Sequence, residues 1–313
     1  MRRLSRQAIT AAIVIAGALT AEGARAAEGA SSHYLPGTAG DFAIALSPAP
    51  GFQIADIAWF QSGSVGAAVL QGQVDLDLSA DVFLNLAIGT YTWGLPVPGL
   101  TYTVGAVVPF GYASIDATLR GPLGNTFRTS DDSFDLSDIA FVPFQLNWNT
   151  GNFHFKLAQA VIAPTGGYDV SRLANLGRNY WSFDSVGAVT WLDQEWGTEV
   201  SIAPGIMVNT RNDATDYKTG AEFHMDFTVN QFLSQTFAIG LKGYWYDQVT
   251  GDSGSGARLG SFKSESVGLG PGFLWSPAFA GGRLNIYGKW MHDIHAKNRL
   301  KSDYGTLGIA WKF

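Results

Sequence analysis

From residue 50 to the end, apolar and polar positions alternate along the chain with a period of two. Leu76, Leu78, Ala80, Val82, Leu84, Leu86 and Ile88 fall on one side of a run whose other side carries Asp75, Asp77, Ser79, Asp81 and Asn85. Val200, Ile202, Ile206 and Val208 alternate with Glu199, Ser201 and Asn209, and Phe223, Met225 and Phe227 alternate with Glu222, His224 and Asp226. Successive side chains of a strand point to opposite faces, so this period predicts strands with two different surroundings. Twelve such segments are predicted, near 52–69, 75–92, 101–118, 138–149, 152–165, 181–192, 197–211, 217–230, 235–249, 264–276, 283–296 and 300–313. A soluble sandwich also alternates. Here one face is apolar, as lipid requires, and the other is rich in Gly, Ala, Ser, Asn and Tyr, as a barrel lumen allows. The predicted fold is all-β: a transmembrane antiparallel β-barrel of about twelve strands, of the bacterial outer-membrane type.

The connections support that architecture. Those at Trp93–Leu100, Thr150–Gly151, Asp193–Trp196, Gln231–Ser234 and Pro277–Gly282 are short. Those at Leu119–Ser137, Gly166–Tyr180 and Thr250–Lys263 are longer and polar, so they are expected to face the outside, with both termini periplasmic. Charged residues make up only 15% of the 313 positions, against about 25% in soluble domains. The stretch from Val82 to Ile115 holds no charge, but Gly94, Pro96, Pro98 and Pro109 break it, so it reads as two strands rather than a helix. The last strand ends at Phe313, with Leu307, Ile309 and Trp311 on the same face. That ending suits recognition by the barrel-assembly machinery.

Two N-terminal segments precede the barrel. Residues 1–26 combine a basic start (Arg2, Arg3, Arg6), an apolar stretch from Ala8 to Ala21 and the small-residue pattern Ala24-Arg25-Ala26, which reads as a signal peptide. Residues 27–50 form an arm of low charge. It reads either as a periplasmic leader or as a lumen plug, in which its alternating Phe42, Ile44 and Leu46 fold back into the barrel, since leaving each in water would forgo about 1.5–3 kcal/mol. The barrel itself is assigned to residues 51–313.

Ala163-Pro-Thr-Gly-Gly-Tyr-Asp169, Asn175-Leu-Gly-Arg-Asn-Tyr-Trp181, Gln248-Val-Thr-Gly-Asp252 and Gly268-Leu-Gly-Pro-Gly272 resemble the family named for the meta-pathway of phenol degradation. The resemblance covers about 50–313. It implies an outer-membrane transport protein associated with catabolism of aromatic compounds, and it carries no catalytic residues.

The formal charge is −6, and no cluster of Lys and Arg offers a nucleic-acid surface. Cys is absent, which excludes disulfides and thiolate metal sites. Glu222, His224 and Asp226 share a strand face, but neighbours two apart lie about 6.5–7 Å from each other, so they suit a polar wall better than a metal site. The expected lumen lining is Asp75, Asp81, Asn85, His154, Lys156, Glu222, His224, Asp226, Lys242, Tyr244, Tyr246, Asn285, Tyr287 and Lys289. Neither a cofactor nor a metal is expected, nor is enzymatic activity. The expected partners are outer-membrane lipids, the barrel-assembly machinery and small hydrophobic or aromatic solutes crossing passively. The alternatives are a lipid-acting hydrolase with His292 facing lipid, for which the nearby Ser302 alternates inward and no serine nucleophile is evident, and a structural barrel without transport.

Overall fold

Every alternating segment forms an antiparallel strand. The computed structural model describes residues 31–70, 73–120, 126–258 and 260–313, so the segment expected to be a signal peptide lies outside the described residues. The strands are β1 (Gly51–Leu70), β2 (Gln73–Gly94), β3 (Thr101–Arg120), β4 (Thr126–Leu136), β5 (Ala140–Thr150), β6 (Phe153–Ile162) and β7 (Ser182–Asp193). They continue with β8 (Thr198–Asn209), β9 (Glu222–Phe232), β10 (Phe237–Gln248), β11 (Glu265–Trp275), β12 (Leu284–Lys297) and β13 (Lys301–Lys312). Apart from β4 and β5, which both pair with β3, each pairs with its sequence neighbours, and β1 pairs with both β2 and β13, which closes the ring.

β4 and β5 lie end to end along β3. β4 pairs with Phe110–Arg120 and β5 with Thr101–Val107, so together they make one stave, broken at Ser137–Ile139. The barrel therefore has 12 staves. The region 119–137, expected as an outer loop, instead holds β4. Its Thr-Phe-Arg-Thr-Ser-Asp-Asp run has no apolar face to announce a strand, and its pairing comes from the length of β3. β1, β2 and β3 run 20, 22 and 20 residues, so this wall rises past the rest of the barrel.

The outer surface has the belt a bilayer demands. Ile54, Leu157, Ile202, Ile239, Leu241, Leu307 and Ile309 are exposed there. Aromatic pairs flank them: Phe52 with Phe313 (5.8 Å between ring centres) and Tyr91 with Trp93 (4.5 Å) at the short-turn end, and Phe60 with Phe83 (4.9 Å) towards the loop end. Such girdles mark the two interfaces of outer-membrane barrels.

Candidate functional site

The interior has two unlike halves. Strands β7 to β13 line one with polar and charged groups. Glu199, Glu222, His224, Asp226, Lys242, Tyr244, Tyr246 and Lys289 are all buried and inward. His154 and Lys156 of β6 point inward as well, and Asn285 and Tyr287 of β12 are half-buried on the same inner face as Lys289. Strands β1 to β3 line the other half with Ile57, Trp59, Leu78, Leu84, Leu86 and Val107.

That apolar half corrects part of the expected lining. Asp81 and Asn85 sit on the outer face of β2, while Leu78, Ala80, Leu84 and Leu86 are buried inside. Asp75 falls outside the residues whose side chains are described. Asp81 stands above the Phe60–Phe83 girdle, where charge faces water. Asn85 lies below that girdle and donates to Asp56 Oδ1 on β1 at 2.8 Å, so the two polar groups on the outer wall satisfy each other. Alternation separates two faces of a strand, and what they pack against decides which one is inside.

Residues 31–50 run through the lumen along the polar half, from the loop end down to β1. His33 bridges Ser182 Oγ (2.7 Å) and Asp138 Oδ2 (2.8 Å). The Tyr34 hydroxyl donates to Asp226, and its ring stacks on His224 at 4.3 Å. Ala39 N donates to Asp226 Oδ2 at 2.8 Å. Lys289 donates to Gly37 O and pairs with Asp41, and Lys242 donates to Asp41 O. Further down, Ala45 N donates to Thr190 Oγ1 (3.0 Å), and Asn147 Nδ2 donates to Ala45 O (3.1 Å). The arm has no regular secondary structure, and the polar wall accepts and donates the hydrogen bonds that its own backbone leaves open. Of its apolar trio, Ile44 is buried against Ala188 and Ala203, Phe42 lies beneath the Lys242 ammonium at 3.3 Å, and Leu46 is exposed.

Between the arm and the apolar wall lies a cavity of about 390 Å³. Tyr34 and Leu35 of the arm form one side. The segment after β6 contributes Leu173 and Leu176 near the loop end, and the β12–β13 turn contributes Arg299 and Leu300. Arg299 is only 4% exposed and lies 4.0 Å above the Tyr246 ring. Its Nε and Nη1, together with Trp59 Nε1 and His224 Nδ1, are buried without a hydrogen-bond partner among the described residues. Sequence reasoning missed Tyr34, Asp41, Trp59 and Arg299. Arg299 sits in a three-residue turn, where no periodicity tells which way a side chain points.

The family-like motifs build the wall beside this cavity. Gly167 N donates to Leu136 O (3.0 Å), Gly166 N to Asp138 Oδ1 (2.9 Å) and Arg178 N to Asp138 Oδ2 (2.7 Å), so residues 163–181 bridge the break between β4 and β5. A Cβ on Gly166 would sit 2.8 Å from Gly177 Cα, so the two segments approach through glycine. Gly268 likewise makes room for the Tyr244 ring, which a Cβ would meet at 2.4 Å. At the loop end, the Ser255 hydroxyl (2.6 Å) and N–H (2.9 Å) and the Arg211 guanidinium hold the Asp216 carboxyl down to about 2.

The hydrolase alternative finds no assembled pair. Ser302 is buried on the inner face and accepts from Gln61 Nε2 at 2.9 Å, whereas His292 is on the outer face with Asp303 at 3.0 Å. Glu222, His224 and Asp226 are bound to Tyr246, Asp184 and Tyr34 respectively. Among the described residues, no group of three or more such side chains is placed to hold a metal.

The model of a family described as "Putative MetA-pathway of phenol degradation" matches residues 62–309. Among solved structures, an outer membrane channel from Pseudomonas putida F1 is similar at a TM-score of 0.70 and 15% identity, covering 88% of this chain and 100% of the other. The beta domain of the Bordetella autotransporter BrkA follows at 0.54 and 12%, covering 85% and 100%. None of the curated proteins matches this chain.

Proposed function

The chain belongs to this phenol-degradation family, and from its closed barrel and the cavity within it we propose an outer-membrane channel for passive entry of small hydrophobic or aromatic compounds. One observation carries the proposal: half of the lumen is apolar and borders a cavity of about 390 Å³, within the usual range of about 300–1,000 Å³ for small-molecule sites. A barrel that served only as a structural wall would gain by filling that space with side chains, as small barrels do. A general porin would line it with polar groups to carry water.

In this reading the loop end faces outside and the short turns face the periplasm. A solute leaves water for the apolar wall and passes the arm, whose polar groups are already engaged with the opposite wall. Movement through this passage follows the solute's concentration gradient. The similar channel of Pseudomonas putida F1 and the family's link to phenol degradation support this reading.

The test is uptake into liposomes holding the purified full-length protein, with labelled phenol, toluene and glucose. Protein-dependent entry of the aromatics well above that of glucose is expected. Equal entry of all three would make the barrel a general pore, and no protein-dependent entry would make it a structural one.

A further inference from the structure

Arg299 gives the cavity a chemistry that an apolar passage alone does not need. Its guanidinium is brought inside the barrel by the turn between β12 and β13, lies over Tyr246 and borders the apolar cavity. It forms no ion pair among the described residues. The nearby carboxylate, Asp293, is already committed: its Oδ1 accepts from the Tyr244 hydroxyl, and its Oδ2 accepts from Ser302 N at 2.9 Å and the Tyr304 hydroxyl at 3.3 Å. A charge withdrawn from water and left without a directed partner is costly. Arginine's planar set of donors matches a carboxylate, with which it forms two parallel hydrogen bonds.

Trp59 adds a second donor. Its Nε1 is buried with no hydrogen-bond partner among the described residues, and its ring lies 5.9 Å from that of Tyr304, beside the same cavity. Much of the remaining lining is aliphatic, including Leu84, Met207 and Leu300, with Gln61, Asp184 and His224 among its polar members. An anion with a strongly hydrated body, such as phosphate or sulfate, would lose its water against that wall without compensation. A compact ring bearing one carboxylate satisfies both parts.

Resting on the channel reading above, we propose that this cavity is a selectivity site for small aromatic monocarboxylates, with Arg299 binding the carboxylate and the apolar wall receiving the ring. Arg299 then discriminates by charge among ligands of equal size. Neutral aromatics still enter, but they leave the guanidinium without a partner and bind more weakly.

Calorimetric titration of the full-length protein in neutral detergent, with sodium benzoate, benzyl alcohol and benzylamine, tests this. Benzoate is expected to bind roughly tenfold or more tightly than benzyl alcohol, the usual effect of a charge-assisted hydrogen bond, and benzylamine most weakly. Arg299→Gln, checked for heat-modifiable folding, should bring benzoate down to the level of benzyl alcohol. Equal binding of benzoate and benzyl alcohol by the unaltered protein would overturn the proposal, and this comparison stands even if the variant does not fold. An Arg299→Gln barrel that still prefers benzoate would overturn it too. Equal binding leaves the channel reading intact, whereas an absence of aromatic flux in the liposome assay removes that reading itself.

Discussion

Single cations in this lumen do different work according to what faces them. Lys289 and Lys242 meet carbonyl and carboxylate oxygens of the arm, while Arg299 meets a ring and an apolar space. Lys289 is buried and holds both Gly37 O and the Asp41 carboxylate. Lys289→Met leaves Asp41 without that partner, and removing one member of a buried pair costs about 3–5 kcal/mol. The expected outcome is a lower unfolding temperature together with a larger, noisier single-channel conductance. A variant with unchanged conductance and stability would show that this pair does not hold the arm. Asp216 behaves otherwise: it is half-buried in a loop, and its carboxyl is held down to about 2 against an ordinary 3.8. Its contribution to the loop end is therefore present above pH 3.8 and lost as the pH falls through about 2.

At the scale of elements, the arm and the broken stave are the two departures from a plain barrel. The arm lacks secondary structure of its own and borrows its hydrogen bonds from β7, β9, β10 and β12. Its order thus depends on the barrel being closed first. Deleting residues 28–48 while keeping residues 1–27 intact is expected to raise conductance in planar bilayers by opening the polar half of the lumen. Unchanged conductance with a correctly folded barrel would reduce the arm to a tether. The broken stave needs different support. Above Ser137 the outer edge of β4 has no strand beside it among the described residues, and residues 163–181 cover it instead. Arg172 pairs with Asp131 at 3.0 Å, and Ala174 N donates to the same carboxylate at 3.0 Å. An open strand edge invites pairing with other chains, and such a cover prevents it.

For the whole molecule, the asymmetry of the connections sets an orientation. Five connections at one end are short, while the segments 163–181, 210–221 and 249–264 stand at the other. Because the chain has no Cys, single cysteines report on one position each. Ser171→Cys and Ser253→Cys are expected to react with an impermeant maleimide on intact cells, and Ser234→Cys only after lysis. Labelling in the opposite order would invert the barrel and place the apolar cavity towards the periplasm. The tall wall of β1 to β3 carries Asp77, Ser79 and Asp81 outward above the aromatic girdle, which is consistent with that end standing in water.

The strands and the barrel class follow from the sequence because alternation is a local property: each residue's neighbours two positions away suffice to reveal a face. For β8 to β10 that also identified the inside, since Glu222, His224, Asp226, Lys242, Tyr244 and Tyr246 would be intolerable against lipid and could only point inward. The same rule misplaced Asp81 and Asn85 on β2. Both faces of β2 have a place to go there: the apolar one borders a cavity, and the polar one rises into water or pairs with Asp56. β4 escaped notice because its polar run gains its partner from β3 rather than from a pattern of its own. The course of the arm, the cavity beside it and the inward turn of Arg299 depend on residues far apart in the chain that only ring closure brings together. Tyr34 meets Asp226, and Arg299 meets Tyr246, inside the lumen, at separations along the chain that no local spacing encodes.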